Sequence, residues 1–431
     1  MKEFDKIIGY SSIKKELEQI VDILKNREVY DNLGVTLPKG LLLYGVPGVG
    51  KSLMAQSLIE ASGLKHFICR KDKPNGEFVN HIKETFDKAI EQAPAIVFLD
   101  DMDKFANGDK DHPDSEEYVT VQSCIDSIKG HEVLVLATAN NLNCLPESLL
   151  RAGRFDRAIN VNAPDNEDAE KIIRHYLSKK KIADDLDFKA IAGLMRDYSC
   201  AKLETVINEA GIYAGYERKA NINMDHILKA IMTVIFDVPA SAFEKSNIKN
   251  KNTIQAAYHE VGHALVFELL DPGSVKLISL LGKRRRKADA FIVYGIHGSD
   301  IDIYKKREIE IIGGLAGKAS VEYKFGICDM GSSNDLDDVF DLVNDKITDL
   351  CTAGFSLYNC RYRESSNDLM TKQEDAIFAE VERCYHKAKE LIILNKEFLE
   401  ALANALLDKK ILLASDIEKI RNTLLKDKFI I

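Results

Sequence analysis

One twelve-residue stretch constrains this chain most: the apolar run LLLY at 41–44 continues directly into GVPGVGKS at 45–52. A strand that enters such a glycine-rich turn and is followed by a helix, here from about Leu53, predicts a phosphate-binding loop. Its glycines let backbone N–H groups turn toward phosphates at a helix N-terminus, where the partial positive charge favours anions. An ordinary glycine-rich turn is the alternative, but it would not need this strand-to-helix context.

Two further apolar runs, AIVFL at 95–99 and VLVLAT at 133–138, read as buried strands with amphipathic segments between them. This alternation is typical of a doubly wound α/β domain, so we predict a parallel sheet with helices on both faces. The predicted domain covers residues 1–160.

The strand pattern then stops, and helical periodicity predicts a small helical domain at 161–238. A polar stretch at 239–253 predicts a linker. The remainder, 254–431, reads as mainly α-helical, with one β-hairpin formed by VKLISLL and DAFIVYGI. The basic run KRRRK at 283–287 would form its turn.

Composition excludes several classes of protein. A net charge of −9 over 431 residues argues against general binding of nucleic acid or anionic membrane, since both need a basic surface. The eight cysteines never form a C-x-x-C pair, which favours a reducing cytoplasm over a disulfide framework. No signal peptide or membrane-spanning run is evident.

Polar side chains at the ends of the predicted strands suggest the chemistry of the nucleotide site. Lys51 is expected to contact the β- and γ-phosphates, and Ser52 to ligate Mg²⁺. Asp100 and Asp101 follow AIVFL, and we expect the first to hold Mg²⁺ and the second to orient the attacking water. Asn140 reaches the same edge, where it could sense the γ-phosphate. A solvated acidic loop and an ordinary loop asparagine are the alternatives.

The segment LLRAGRFDR places Arg151, Arg154 and Arg157 in a short turn. Such guanidinium groups could reach a phosphate on a neighbouring subunit, because their planar fork stabilises the charge of a transition state. Surface salt bridges are the alternative interpretation.

The stretch AYHEVGHALV contains His259 and His263, which lie on one face if the segment is helical and could share a metal ion. Glu260 beside them would be the general base that takes a proton from water. Gly262 weakens the helix by about 1 kcal/mol. Two hydrogen-bonded core histidines are the alternative.

A catalytic zinc needs a third protein ligand and one open position. The segment GSSNDLDDV offers three carboxylates, Asp335, Asp337 and Asp338, and composition does not choose among them. Asp335 could equally be a helix N-terminal acid stabilised by the helix dipole.

The order of these motifs, from DKIIGY through LPKGLLLYGVPGVGKS, LLRAGRFDR, NEAGIYA and AYHEVGHALV to GSSNDLDDV, resembles the FtsH family of AAA+ ATP-dependent zinc metalloproteases. The resemblance implies an AAA+ domain with a helical lid, followed by a zinc metallopeptidase domain in which Asp335 is the third zinc ligand. It also implies ATP with Mg²⁺, polypeptide substrates and a homo-hexameric ring in which Arg151 and Arg154 serve the next subunit. The implied ATP-binding residues are Ile8, Gly45, Val46, Pro47, Gly48, Val49, Gly50, Lys51, Ser52, Leu53, Asp100, Asn140, Arg151 and Arg154.

The chain departs from the family pattern in several places. Family members carry N-terminal membrane helices, whereas this sequence starts at the ATPase domain, so we expect no direct membrane insertion. Asp101 stands where the family has Glu, which predicts slow hydrolysis. In KDKPNGEFV at 71–79, Pro74 takes the position of the pore-loop aromatic if Gly76 takes that of the glycine, and Phe78 is the only nearby aromatic. Val46 and Val49 replace common Pro and Thr without affecting the expected chemistry.

The motifs together predict an ATP-dependent zinc endopeptidase that cleaves unfolded or tagged polypeptides. Two alternatives follow from the departures. One is a nucleotide-controlled binding or remodelling module with a weak or vestigial peptidase. The other is a peptidase of unfolded chains that does not thread its substrate.

Overall fold

The structure is a computed structural model, and its contacts divide the chain into two compact units, Met1–Ala230 and Ile231–Ile431. Among the described residues, no helix combines the length and the apolar character that a membrane span requires. The described residues are 2–34, 38–72, 74–106, 115–151, 153–243, 250–282, 290–296, 303–328, 330–350, 352 and 367–424.

The first unit contains a five-stranded parallel sheet in the order β2-β3-β4-β1-β5. The strands are β1 (Gly40–Tyr44), β2 (Lys65–Cys69), β3 (Ala95–Leu99), β4 (Val133–Ala139) and β5 (Arg157–Asn160). The three predicted strands, β1, β3 and β4, are confirmed and are almost fully buried, as their continuous apolar sequences require. The two edge strands were missed because KHFIC and RAIN are short and largely polar or exposed.

Helices surround this sheet and continue beyond it, in agreement with the predicted α/β arrangement followed by helices. They are α1 (Ser11–Lys25), α2 (Arg27–Asn32), α3 (Lys51–Ser62), α4 (Asn75–Glu91), α5 (Ser115–Ser127), α6 (Asn166–Leu177), α7 (Phe188–Leu194), α8 (Cys200–Tyr216) and α9 (Met224–Val234). Helix α3 begins two residues before the predicted start at Leu53. Asp165 caps α6 by accepting a hydrogen bond from the Asp168 N–H, which satisfies a backbone donor that the helix itself cannot pair.

The N-terminal segment is tied to the helices that follow the sheet. The Tyr10 N–H donates to Asp168 Oδ2 at 2.8 Å, and the Tyr10 hydroxyl donates to the Asn162 carbonyl at 3.0 Å. These bonds fix the segment before α1 against the start of α6, beside the end of β1 and the phosphate-loop region.

The second unit is mainly helical and contains a small antiparallel sheet in the order β7-β6-β8. Its elements are α10 (Lys251–Leu270), β6 (Val275–Ser279), β7 (Phe291–Tyr294), α11 (Ile303–Phe325), α12 (Ser333–Thr348), α13 (Asn367–Leu394), α14 (Lys396–Lys409), β8 (Ile411–Leu413) and α15 (Ala414–Leu424). The predicted hairpin is confirmed as β6 and β7, whereas the three-residue strand β8 was missed. The basic run at 283–287 lies outside the described residues.

The predicted linker at 239–253 is shorter in the structure. Helix α10 already begins at Lys251, because the Asn250 side chain caps it by accepting a hydrogen bond from the Thr253 N–H at 2.8 Å. A short 3-10 helix, Ala240–Ala242, also lies inside the predicted linker. The start of α10 was not predicted from the sequence, because the polar residues that cap helices also favour loops.

A buried ion pair connects α12 to α13. Lys346 has a side chain only 1% exposed, and its ammonium group lies 2.6 Å from Glu380 Oε1 and 4.4 Å from the centre of the Tyr304 ring. Arg383 also donates to Glu380, at 2.8 Å. Because Lys346 would otherwise be an uncompensated buried charge, this pair holds α12 in place.

We expect Glu380→Gln to lower the free energy of unfolding by about 2 kcal/mol at neutral pH, since it leaves the Lys346 charge without its counter-ion. Hydrogen bonds from Arg383 and Lys346 lower the pKa of Glu380 from 4.5 to about 2 against the effect of burial. The stabilisation is therefore complete above pH 4.5 and disappears as the pH falls to about 2. Urea denaturation across this range measures it. Glu390→Gln, which breaks an exposed pair with Lys387, should change stability little.

Candidate functional site

The glycine-rich loop after β1 has the backbone conformation that phosphate binding requires. Gly45, Gly48 and Gly50 all have positive φ angles, 147°, 80° and 100°. A side chain at Gly45 would collide with the Val161 carbonyl, and one at Gly48 would lie 2.9 Å from the Ala201 Cβ. Only glycine therefore fits the first two positions, and the loop leads directly into the N-terminus of α3.

The two side chains that end the loop point toward the sheet edge. The Lys51 ammonium group donates to the carbonyl oxygens of Gly45 and Val46, at 2.7 and 3.0 Å, and to Asn140 Oδ1 at 2.9 Å. The Ser52 hydroxyl donates to Asp100 Oδ1 at 3.1 Å. A hydroxyl and a carboxylate are oxygen ligands of the kind that Mg²⁺ prefers, so this pair fits the predicted magnesium site.

The acidic pair after β3 meets the ends of the neighbouring strands. Thr138 donates to Asp100 Oδ1 and accepts from the Asp101 N–H, both at 2.8 Å. Asp101 has a left-handed backbone, with φ of 55°, and its carboxylate pairs with Lys104 at 2.6 Å. Asn140 donates to Asp101 Oδ1 at 3.5 Å. The parallel sheet thus brings Lys51, both acids and Asn140 to one edge.

Beside this edge lies a cavity of about 730 Å³. It is lined by the following predicted residues: Ile8, Pro47, Gly48, Val49, Gly50, Lys51, Ser52, Leu53, Asp101 and Asn140. It is also lined by four residues that were not predicted: His175 and Tyr176 of α6, and Cys200 and Glu204 of α8. No local motif marks these residues, since they come from helices distant in sequence. The cavity is large enough for a nucleotide.

The predicted arginines lie apart from this cavity. Arg154 pairs with Asp126 at 2.8 Å and also donates to the Ser148 carbonyl. Arg157 is the first residue of β5, where it is paired with Leu41 of β1, so it does not share the turn with the other two. Arg151 is exposed and lies before the turn. A contact of Arg151 or Arg154 with a neighbouring subunit stays a prediction.

The connection between β2 and α4 contains no exposed aromatic side chain among its described residues. Pro74 precedes the first residue of α4, and Gly76 lies in the first turn of that helix. Phe78 is fully buried and packs edge-to-face on Phe105 with ring centres 5.0 Å apart. Phe78 therefore belongs to the core of the first unit.

In the second unit, three candidate ligands converge. His259 and His263 are one turn apart on α10, and Asp335 lies in the first turn of α12. Asp335 Oδ2 is 3.1 Å from His259 Nε2 and 3.6 Å from His263 Nε2, and the two imidazole nitrogens are 3.1 Å apart. Of the three carboxylates in GSSNDLDDV, the structure brings Asp335 to the histidines.

The hydrogen bonds and charges of this cluster suit a metal ion. His263 Nδ1 lies 2.7 Å from the Gly313 carbonyl oxygen, which can only accept, so Nδ1 carries the proton and Nε2 is free to act as a ligand. Burial opposes ionisation of Asp335, yet the two histidines hold the pKa of this carboxyl well below its ordinary value. Two imidazoles and a carboxylate, with all three ligand atoms within 4.8 Å of one another, fit zinc with an open fourth position.

Close packing of α10 on α11 supports these ligands. A side chain at Gly262 would lie 2.5 Å from the Ala316 carbonyl oxygen. One at Gly317 would lie 2.7 Å from His259 Cε1 and closer still to His263 Nε2. Gly262 costs the helix stability by propensity, yet it is needed where the two helices meet.

Glu260 lies between the two histidines in sequence and is buried in α10, with 9% of its surface exposed. It directly follows His259 in the chain, and its role as the base that acts on water stays a prediction.

Two family models match the chain, one for each kind of site. Residues 41–163 match the ATPase family associated with various cellular activities (AAA), and residues 246–420 match peptidase family M41. The first match covers the glycine-rich loop and the acidic pair, and the second covers His259, His263 and Asp335.

Proteins similar to the chain over nearly its whole length carry both activities in their names. It is 30% identical to the ATP-dependent zinc metalloprotease FtsH of Lachnoclostridium phytofermentans, over 96% of this chain and 74% of that protein. It is 29% identical to FtsH 2 of Thermoanaerobacter sp., over 97% and 82%, and 30% identical to FtsH of Mycoplasma pneumoniae, over 97% and 62%. The chain therefore belongs to the FtsH family of ATP-dependent zinc metalloproteases.

Proposed function

We propose that the protein hydrolyses ATP in a ring assembly and cleaves unfolded or tagged polypeptides at the cluster of His259, His263 and Asp335. The observation that supports this most directly is the meeting of these three side chains, from two helices far apart in sequence, at 3.1 to 3.6 Å. An ordinary pair of core histidines would not need a half-buried carboxylate beside both rings.

The nucleotide side of the proposal assigns a role to each polar group at the sheet edge. The backbone of residues 45–52 would bind the phosphates, Lys51 would neutralise them, and Ser52 and Asp100 would hold Mg²⁺. Asp101 would orient the attacking water, with Asn140 near the γ-phosphate. The Lys51 ammonium group donates hydrogen bonds to carbonyl oxygens of the loop, and phosphate oxygens would replace these acceptors.

The peptidase side assigns the proton transfers to Glu260. It would take a proton from the attacking water and then deliver it to the leaving amine of the peptide. Zinc, when bound, polarises the scissile carbonyl and lowers the pKa of water. The Gly313 carbonyl would hold the His263 ring so that Nε2 faces the ion.

We further propose a homo-hexameric ring in which Arg151 and Arg154 serve the ATP of the next subunit. Arg154 would have to leave Asp126, whose pKa the arginine and Lys129 lower to about 2. The functional domains proposed are 1–160 and 161–238 for the ATPase and its lid, and 254–431 for the peptidase.

One sample can test the whole proposal. The purified chain, with ATP and Mg²⁺, is measured for particle mass, zinc content and casein cleavage. We expect a particle of about six chains, close to one zinc per chain, and cleavage that requires both zinc and ATP. A monomer that leaves casein intact with zinc bound would contradict it.

A second candidate function is favoured by the burial of Phe78. Phe78 is the only aromatic residue in 71–79, the counterpart of the family's pore loop. A peptidase whose pore loop exposes no aromatic side chain would cleave unfolded chains but could not pull folded ones apart. Casein and a tightly folded tagged reporter distinguish the two functions. Degradation of the reporter excludes the second candidate, whereas cleavage of casein alone supports it.

We expect Asp101→Glu to raise ATP turnover several-fold. The Asp101 side chain lines the cavity, and its carboxylate forms an ion pair with Lys104 at 2.6 Å. One more methylene would give the carboxylate a longer reach toward the water that it is proposed to orient. Phosphate release at saturating ATP measures the change. Asp101→Asn, of the same size, should nearly abolish turnover, and a rate for Asp101→Glu at or below the natural one would contradict this role.

A further inference from the structure

The carboxylate proposed to hold magnesium, that of Asp100, forms an ion pair with an arginine. Arg70 directly follows β2 and Asp100 directly follows β3, and the last residues of these strands, Cys69 and Leu99, are paired in register. The Asp100 N–H donates to the Cys69 carbonyl at 3.1 Å. This register places the Arg70 guanidinium on Asp100 Oδ2, where the two form an ion pair.

The pair differs from an ordinary surface salt bridge in the burial of its acid. The Asp100 side chain is 2% exposed, whereas that of Arg70 is 63% exposed. Asp100 Oδ1 already accepts from Ser52 and Thr138, and Arg70 binds the other oxygen. The guanidinium thus supplies a positive charge to a buried carboxylate that would otherwise lack a counter-ion.

A magnesium ion at Ser52 and Asp100 would seek the same negative charge. Both cations cannot be close to Asp100 without repelling each other, and the repulsion is only partly screened because the acid is buried. Arg70 can turn into solvent, since most of its side chain is already exposed. Binding of Mg²⁺ would then include the loss of one ion pair.

We propose that Arg70 is a positioning residue that holds the Asp100 carboxylate in the absence of magnesium and thereby weakens the affinity of the nucleotide site for Mg²⁺. The inference rests on the proposed nucleotide site. Retention of ATP would then depend on the Mg²⁺ concentration through a residue outside the glycine-rich loop.

The test is a binding measurement on the full chain. A fluorescent ATP analogue is titrated with Mg²⁺, and the Mg²⁺ concentration for half-maximal binding is compared between variants. We expect Arg70→Gln to lower this concentration by about 3- to 10-fold, because a positive charge beside the site is removed. Arg70→Lys, which keeps the charge, should stay near the natural value. In excess EDTA, Arg70→Gln should gain no such advantage over the natural protein.

Arg27→Gln is the matched control. It removes the same charge from an exposed ion pair with Glu132, 3.0 Å apart. Glu132 directly precedes β4 and so lies at the opposite edge of the parallel sheet from Asp100. We expect no shift in Mg²⁺ dependence for this variant.

An unchanged or increased Mg²⁺ requirement in correctly folded Arg70→Gln would overturn the inference, and an increase would mean that Arg70 assists binding instead. An equal shift in Arg27→Gln would overturn it as well, since net charge alone would then explain the effect. If the natural protein binds no ATP analogue at any Mg²⁺ concentration, the proposed nucleotide site itself fails. The two failures are therefore distinguishable.

Discussion

Glu260→Gln is expected to reduce casein cleavage by about 10²- to 10⁴-fold, the range typical of losing a general base. Glutamine has nearly the same shape, so the buried position in α10 should remain packed and His259 and His263 should keep their geometry. What is lost is a carboxylate able to take a proton from water. Cleavage is measured with zinc and ATP at saturation, together with zinc content and ATP turnover on the same preparation.

The expected pattern is loss of cleavage with unchanged zinc content and unchanged ATP turnover. Asp337→Asn is a suitable control, since it neutralises an acid two residues after Asp335 that the structure does not bring to the histidines. Equal cleavage by Glu260→Gln and the natural protein would remove Glu260 from the mechanism. Zinc far below one per chain, unaffected by His263→Ala, would instead support the vestigial peptidase.

The parts of the sites that the sequence predicts best are those whose chemistry is contiguous. The glycine-rich loop contains its phosphate-binding backbone, Lys51 and Ser52 in eight successive residues, and the acids end a recognisable strand. His259 and His263 are likewise fixed by the period of one helix. In these segments local geometry alone brings the functional groups together.

Residues contributed by distant elements were not predictable in the same way. The sequence offered three equivalent carboxylates in GSSNDLDDV, and only family resemblance chose Asp335 before the structure placed it beside the histidines. His175 and Cys200 reach the nucleotide cavity through the packing of α6 and α8, which no local pattern encodes. Arg70 belongs to no motif, and it meets Asp100 only through the register of β2 and β3.

The need for glycine where helices touch was the feature least predictable from the sequence. Propensity treats Gly262 and Gly317 as defects in helices, costing about 1 kcal/mol each relative to alanine. The structure shows that neither position has room for a side chain, since a Cβ would meet the facing helix. The lower helix propensity of these glycines is offset by the close approach of α10 and α11, which sets the position of the proposed zinc ligands.

Gly317→Ala should therefore weaken zinc binding by about 10- to 100-fold, the range found when the groups that orient metal ligands are disturbed. The added methyl group would overlap His263 Nε2 and lie 2.7 Å from His259 Cε1, so both rings would have to turn away from Asp335. Casein cleavage should fall with zinc occupancy and recover in part at high zinc concentration. Zinc affinity is measured by competition with a chelating indicator.

Gly314→Ala separates loss of the metal site from damage to helix packing. It lies one turn earlier in α11, and its Cβ would lie 2.7 Å from Val339 Cγ2 without contacting either histidine. We expect this variant to lose stability while keeping zinc affinity within a few-fold of the natural protein. If both variants lose zinc equally, loose packing of α11 explains the effect. If Gly317→Ala binds zinc normally, α11 does not press on the imidazoles, and the ligand geometry must be set by α10 and α12 alone.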